Sequence, residues 1–512
     1  MRHPAVFFIA SCLAVGCGAD ASQEAATDAG LAADTKPDLS APLFDPTQVV
    51  EVSITMKAED WDFIRTQTRD LSANSGDKCM SGPFLSPFVY KPATVTVNGQ
   101  TLANVGVRKK GFLGSLDDTK PSLKIKFDKF TVGQELFGLE RLTLNNDKSD
   151  PSHVRQCLAY GVFAAAGVPA PRCNVAHVTV NGQDLGVFTH LESIKKRFIA
   201  RHFADKKGRL FEGTLSDFCD KWLNTFEGKT DDPDRSALLA MKTALEAPDD
   251  GLEAALAPLV DLAQFARFWA AEVLVQHGDG YAGNMNNFYL YEDPTDGRLH
   301  FIPWGVDNTF STFSKGMSAD APKILRAKGM LTRRLYLHPP TRAKYLAAMA
   351  ELLADVWHED ALLAEVERVE QLVAPLSKGD PFHMSGKKAD PALAAADVRA
   401  WIKARRAAVQ AELDAPPAWN EPLAEPFCFG DKGGDPGKNC QEDCLKAGGA
   451  KADCDKKCVG LDAALVCYEA CVAKGDAPAA CKAACSAPVD PKKCVEDCVK
   501  GGRTPAYCEM KC

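Results

Sequence analysis

Thirteen of the nineteen cysteines of this chain fall between Cys428 and Cys512, and their spacing limits what that stretch can fold into. From Cys440 the order C-x3-C, nine residues, C-x3-C occurs three times: Cys440, Cys444, Cys454, Cys458; Cys467, Cys471, Cys481, Cys485; and Cys494, Cys498, Cys508, Cys512. Residues four apart lie one turn apart on the same helix face. The intervening segments carry Gly448-Gly449, Gly475 with Pro478, and Gly501-Gly502 with Pro505, which stop one helix and start the next. Each unit therefore reads as a short antiparallel helical hairpin. Antiparallel packing sets outer against outer and inner against inner: Cys440 with Cys458 and Cys444 with Cys454, Cys467 with Cys485 and Cys471 with Cys481, Cys494 with Cys512 and Cys498 with Cys508. Four cysteines allow three connectivities per unit, and spacing alone does not choose among them. Hairpins this short need crosslinks of about 2 to 4 kcal/mol each to stay folded. Four cysteines could also hold zinc, but three-residue spacings in an oxidising compartment favour disulfides.

The other end of the chain points to that compartment. Residues 1–17 run from a basic start through the apolar AVFFIASCLAVG to Cys17, the order of a signal peptide, and too short a run to span a bilayer. Ala14-Val15-Gly16-Cys17 resembles a lipobox, with Leu13 one place earlier than usual. A lipid on Cys17 would tether the protein to a membrane, at the outer membrane or cell surface; plain secretion is the alternative. Residues 18–46, rich in Ala, Asp, Thr and Pro, carry too little apolar surface to fold and read as a disordered tether. The net charge of −8 is mild, without a long basic run, so no nucleic-acid partner is expected.

Between tether and tail, residues 47–415 read as one domain and 416–439, with Pro416, Pro417, Pro422 and Pro426, as a linker. EVSITM and SLKIKF alternate like strands, AEDWDFIRTQTR has helical spacing, and Asn98-Gly99 and Asn181-Gly182 each sit where a hairpin turns. An amphipathic helix is expected over about Ser152 to Ala166, stopped by Pro169 and Pro171. Residues 47 to about 215 are thus α+β, and from about Lys323 to Leu413 the pattern is helical. Outside the repeats Cys79, Cys157, Cys173, Cys219 and Cys428 remain, of which Cys157 and Cys173 are close enough in sequence to bridge.

The segment QHGDGYAGNMNNFYLYEDPTDGRLHFIPWGVDNTF places His277, Asp279 and Asn284 at the H-x-D-x4-N spacing of a kinase catalytic loop. Two alternating strands around a turn at Asp293 to Gly297 then deliver Asp307. Phosphoryl transfer needs a base near the acceptor hydroxyl and oxygen ligands for a metal on the phosphates. Asp279 is the candidate base, and Asn284 and Asp307 are the candidate metal ligands.

Over roughly residues 47 to 415 the chain resembles the spore-coat protein H (CotH) family of atypical protein kinases. The resemblance rests on SDPSHVRQCLAY with GVPAPR, NGQDLGVF, LESIKKRF and VDNTF. It implies an α+β, atypical protein-kinase-like domain, followed here by the disulfide-stapled α-helical hairpins. It further implies ATP and magnesium or manganese as cofactors, and transfer of phosphate to serine or threonine of a protein substrate at the cell surface. Carried over by residue, Lys120 in KPSLKIKF would contact phosphates, with Lys124 and Lys126 beside it, and Glu192 would be its acidic partner or an adenosine-site residue. In place of a G-x-G-x-x-G loop the chain has Arg108-Lys109-Lys110-Gly111-Phe112-Leu113-Gly114-Ser115, whose cations and Ser115 would cover the phosphates by charge. A non-catalytic surface lipoprotein using the same scaffold to bind a partner or in a structural role is the competing expectation, because a fold does not carry a function by itself.

Overall fold

Strand alternation builds the first half of the domain. In β1 (Val50–Thr55) Val50, Val52 and Ile54 are buried and the residues between them exposed. Helix α1 (Ala58–Thr66) follows, then the hairpin of β2 (Lys91–Val97) and β3 (Gln100–Lys109), then β4 (Leu123–Lys126) and β5 (Arg141–Asn145). After helix α2 (Arg155–Ala165) comes a second hairpin, β6 (Cys173–Val180) and β7 (Gln183–Leu191). Both hairpins turn on Asn-Gly at positive φ, Asn98 at 45° with Gly99 at 80°, and Asn181 at 52° with Gly182 at 78°. Each turn asparagine also accepts a backbone N–H bounding β1: Glu51 N–H donates to Asn98 Oδ1 and Met56 N–H to Asn181 Oδ1, both at 2.9 Å. The computed structural model describes residues 37–69, 82–112, 114–311, 322–376, 383–384, 387–388 and 390–419. Cys17, most of the tether and the whole cysteine repeat, with their expected lipid and pairings, lie outside the described residues.

The seven strands close into a barrel in the order β1-β2-β3-β4-β5-β7-β6, the closing pair β1–β6 being parallel with Val52 opposite Val178. Its interior is filled by inward-facing Val, Ile and Leu from every strand together with Phe127 and Phe188. Two hairpins were legible in the sequence; the barrel was not, because its closure pairs strands more than a hundred residues apart.

The chain then passes through α3 (Lys196–His202), β8 (Arg209–Gly213), α4 (Asp220–Leu223), β9 (Glu227–Gly228), α5 (Ser236–Leu245), α6 (Leu252–Leu256), α7 (Leu262–Leu274) and α8 (Tyr281–Asn284). Strands β10 (Phe288–Glu292) and β11 (Leu299–Pro303) complete a second sheet in the order β11-β10-β8-β9. Helices α9 (Met330–Leu337), α10 (Pro339–Asp355), α11 (Glu359–Val373) and, after a short pairing of β12 (His383–Met384) with β13 (Lys387–Lys388), α12 (Pro391–Asp414) follow; α10 packs along α7, α9 and α12 pack on α10, and α11 packs on α12. Asp261 caps α7 by accepting from Ala263 N–H at 2.9 Å and Gln264 N–H at 3.0 Å, the usual role of an N-cap carboxylate. In the core Trp269 of α7 stacks on Tyr345 of α10 with ring centroids 3.7 Å apart.

Both expected domain limits shift outward. The compact unit begins at Asp38: Leu43 is buried, and Arg172 stacks on Phe44 with its guanidinium 4.1 Å from the ring centroid. The last part of the supposed tether is thus folded. At the other end Trp419, assigned to the linker, donates from its indole to Ala327 O at 3.2 Å, and Tyr336 donates to Pro417 O at 2.6 Å. No helix among the described residues is long and apolar enough to cross a membrane.

A disulfide joins Cys157 of α2 to Cys173 of β6, as their proximity in sequence suggested. The sequence separation of 16 residues gives a loop whose closure restricts the unfolded chain by about 3 kcal/mol. A Cys157→Ser/Cys173→Ser variant should unfold at lower denaturant, with a loss of about 2 to 4 kcal/mol from urea titration; an unchanged midpoint would contradict the crosslink.

Candidate functional site

Asp279 stands in the loop between α7 and α8, and buried groups fix that loop from behind. Glu272, 1% exposed on α7, accepts from the backbone N–H groups of Tyr281 and Ala282, each at 2.9 Å. Burial pushes its carboxyl up to about 8, those two N–H bonds pulling the other way. His277 ties the loop to the end of β11 through Nε2 and Trp304 O at 3.0 Å, and burial drives its pKa down to about 4 despite nearby Asp279. Gly283 is required by packing, since a Cβ there would lie 2.3 Å from Gly278 O.

Three asparagine amides hold the Asp279 carboxylate. Asn284 and Asn286 donate to Oδ1 at 2.6 and 3.3 Å, and Asn287 donates to Oδ2 at 3.0 Å. An ionised carboxylate has about four acceptor positions. Oδ1 is saturated and Oδ2 keeps one position for a proton or a cation. Asp307 lies on a single 3₁₀ turn, Val306–Asn308, entered through Gly305 at φ 56°. A Cβ at Gly305 would fall 2.6 Å from the Asn287 amide carbon, so the turn bearing Asp307 touches the loop that holds Asp279.

These groups line one cleft of about 730 Å³ between the barrel and the second sheet. Asp279, Asn284 and Asp307 share it with Arg108, Lys110, Ser115 and Lys124 from the barrel. Lys110 donates to Asn145 Oδ1 and lies 5.8 Å from the centroid of the Trp304 ring. Burial lowers the Lys110 ammonium to about 8, with Asp307 and Glu212 opposing the drop and Arg108 adding to it. Lys124 falls to about 7, first through burial and then through Arg108, against the pull of Glu212. Along the cleft wall Lys229 pairs with Glu212 at 2.5 Å and with Glu227 at 2.6 Å. Burial alone would raise Glu212, but Lys229, Lys124 and the Tyr289 hydroxyl hold it below the ordinary range.

The structure brings six of the residues expected at the site into this cleft: Asp279, Asn284, Asp307, Arg108, Ser115 and Lys124. Two it does not. Lys120 is 1% exposed with its ammonium 5.1 Å from the centroid of the Phe188 ring, at the barrel core, and is not among the residues lining the cleft. Glu192 is buried against Arg172 at 3.0 Å and against Arg201, not in the cleft. Desolvation would raise its carboxyl, but the guanidiniums of Arg201 and Arg172 outweigh burial and lower it. Lys126, on the same strand face as Lys124, lies 3.5 Å from Asp128. Lys110, with Lys124, lines the cleft in which Lys120 was expected. Lys110 belongs to the basic stretch at the end of β3 that was expected to cover the phosphates, and alternation separates its members: Lys109 turns away to donate to Arg65 O at 2.6 Å, so Arg108 and Lys110 face the other side. Asn286 and Asn287 were legible only as the start of a strand.

The donor set suits a hard divalent cation. Two carboxylates and an amide offer oxygen, with no thiolate or imidazole among the described residues that line the cleft, a chemistry that favours magnesium or manganese. Burial pushes the Asp307 carboxyl up to about 6; the adjacent Asp279 adds to the rise, while the backbone N–H of the turn and Lys110 oppose it. A bound cation would relieve a carboxylate whose charge is disfavoured by burial and by a neighbouring carboxylate. A second group, Asp293, Asp296 and His300, lies within 4.8 Å on the β10–β11 turn. Its members serve the turn: Thr295 and Arg298 N–H donate to Asp293 and Asp296 at 2.9 Å, and His300 Nδ1 meets Gln264 Oε1 at 2.9 Å.

Comparison with known proteins agrees with this geometry. Residues 107–409 match the family described as CotH kinase protein, a span that contains every cleft residue named above as base, metal ligand or phosphate contact. The chain is 24% identical over 266 residues to inner spore coat protein H of Bacillus subtilis (strain 168), covering 48% of this chain and 71% of that protein. It is 35% identical over 74 residues to an inner spore coat protein H-like protein of the same organism, covering 14% of this chain and 22% of that one.

The raised Asp307 pKa has a stability consequence. The unfolded chain ionises this group near 3.8 and the folded protein near 6, so the native state binds more proton between those values and loses stability as pH rises through them. In EDTA at pH 7 Asp307→Asn should therefore melt above wild type, the gap narrowing toward pH 4. A variant that melts at or below wild type at pH 7 would contradict the assignment.

Proposed function

This chain belongs to the CotH kinase family, and from that premise we propose that it is an exported, metal-dependent protein kinase. It transfers the γ-phosphate of ATP to serine or threonine of a surface or exported protein. The observation that carries this reading is the cleft itself, in which Asp279, Asn284 and Asp307 share one space with Arg108, Lys110 and Lys124.

The chain's own residues divide the work. Asp279 Oδ2, with its one open acceptor position, takes the proton as the acceptor hydroxyl oxygen bonds to the γ-phosphorus and the bond to the β–γ bridging oxygen breaks, leaving ADP. Asn284 and Asp307 would hold magnesium or manganese, which when bound shields the phosphate charge and orients it for in-line displacement. Lys110, Lys124 and Arg108 supply the fixed positive charge that a Gly-rich loop supplies by backbone N–H groups elsewhere. The wall formed by Glu212, Lys229 and Tyr289 is left for the nucleoside.

We place the protein outside the cytoplasm, anchored through Cys17. The signal-like residues 1–17 support this, as does the Cys157–Cys173 disulfide, since such bonds persist in oxidising compartments. The cysteine repeat is assigned to stapled hairpins on the same ground.

Purified full-length chain, mixed with γ-labelled ATP, magnesium or manganese and a surface-protein extract, should label serine or threonine. Asp279→Asn and Asp307→Asn should each lose on the order of 10²-fold or more. Wild type as inactive as both variants, and binding no nucleotide, would replace the kinase with a partner-binding scaffold.

A further inference from the structure

Helix α2 touches both walls of the cleft, and no step of the proposed reaction uses it. Its first turn carries Gln156, fully buried, at the centre of a side-chain relay. Lys110 Nζ donates to Asn145 Oδ1, Asn145 Nδ2 donates to Gln156 Oε1 at 2.6 Å, and Gln156 Nε2 donates to Asp147 Oδ1 at 2.7 Å. Asp147 is fixed in turn by Thr189 Oγ1 at 2.7 Å and by His153 Nδ1 at 2.8 Å. Each member uses one donor and one acceptor in a single direction, ending on a carboxylate, so the Lys110 ammonium cannot move without breaking the chain of bonds. Only a primary amide long enough to reach both neighbours serves at position 156; a carboxylate would face Asp147 and an apolar side chain would leave Asn145 without its acceptor.

The same helix reaches the acidic wall, packing along the Val306–Asn308 turn that bears Asp307. Tyr160, one turn on from Gln156, is buried on the same helix, 2% exposed. Between those two residues is Cys157, crosslinked to Cys173 of the barrel strand β6. One turn of helix thus carries a contact to the cation side, a contact to the acidic side and a covalent anchor.

We propose that Gln156 is a positioning residue that holds Lys110 at its distance from Asp307, and that the Cys157–Cys173 disulfide keeps α2 where Gln156 can do so. Affinity of the cleft for a metal–polyphosphate then depends on the disulfide although neither sulfur lines the cleft. The inference rests on the reading of the cleft as a nucleotide–metal site.

The test is a double-mutant cycle on the full-length chain, read as affinity for the magnesium complex of a non-hydrolysable ATP analogue by calorimetry. Gln156→Leu should bind about tenfold more weakly, the effect of losing a hydrogen bond that orients a charged group, while thermal unfolding shows it folded. Cys157→Ser/Cys173→Ser should weaken binding similarly, and the triple variant should be no worse than either parent. That non-additivity marks a shared path, which a merely stabilising disulfide would not produce. Gln156→Leu binding like wild type, or effects of Gln156 and the disulfide that add in full, would overturn the proposal. If the disulfide variant does not fold, Gln156→Leu alone decides. Wild type that binds no nucleotide would instead overturn the reading of the cleft, and this inference with it.

Discussion

Two carboxylates, Asp279 and Asp307, share one cleft, where Asp279 adds to the cost that burial sets on ionising Asp307, and the surrounding structure keeps them there. Left to itself such a pair would turn to solvent or take up a proton. Asp279 is prevented by three asparagine amides, and Asp307 by a 3₁₀ turn pressed between the Asn287 loop and α2. Beneath them Glu272 accepts two backbone N–H groups of α8 from within the core, and Asp217 accepts the Tyr281 hydroxyl at 2.9 Å. Burial pushes these two acids up as well, to about 8 and about 6. The site therefore rests on a stratum of unfavourably buried polar groups, offset by the aromatic core around Phe265, Trp269 and Phe301. Strain of this kind belongs where geometry matters more than stability.

The barrel supplies the opposite charge, and how it does so explains which residues could be read in advance. Period-two alternation in β4 turns Leu123 and Ile125 inward and leaves Lys124 and Lys126 outside. Both lysines look alike in sequence, yet Lys124 lines the cleft and Lys126 lies near Asp128. Lys120 precedes the strand, where alternation says nothing, and its chain runs to the Phe188 ring. Lys110 could not be told from its neighbours for a similar reason: Arg108, Lys109 and Lys110, consecutive cations at the end of β3, differ only in the side to which the backbone turns them.

Local signals served well wherever the physics was local. Asn-Gly pairs marked both hairpins, the proline pair after α2 marked its end, and the H-x-D-x4-N spacing with the following strands placed Asp279, Asn284 and Asp307 along one wall. Non-local pairings were out of reach. The β1–β6 closure of the barrel and the choice of Arg172 and Arg201 as partners of Glu192 depend on contacts that only the folded chain brings together. Family resemblance compensated for part of this, since one of the segments that carry it, Ser149 to Tyr160, contains Gln156 and His153 of the polar relay.

The central claim is that the paired acids of the cleft hold a divalent cation on a nucleotide. It is tested most directly by manganese uptake, followed as loss of the free-ion electron paramagnetic resonance signal when protein is added to manganese and a non-hydrolysable ATP analogue. The account predicts uptake by wild type that falls at least tenfold, about 1.4 kcal/mol or more, in both Asp279→Asn and Asp307→Asn. Equal uptake by all three proteins would contradict it.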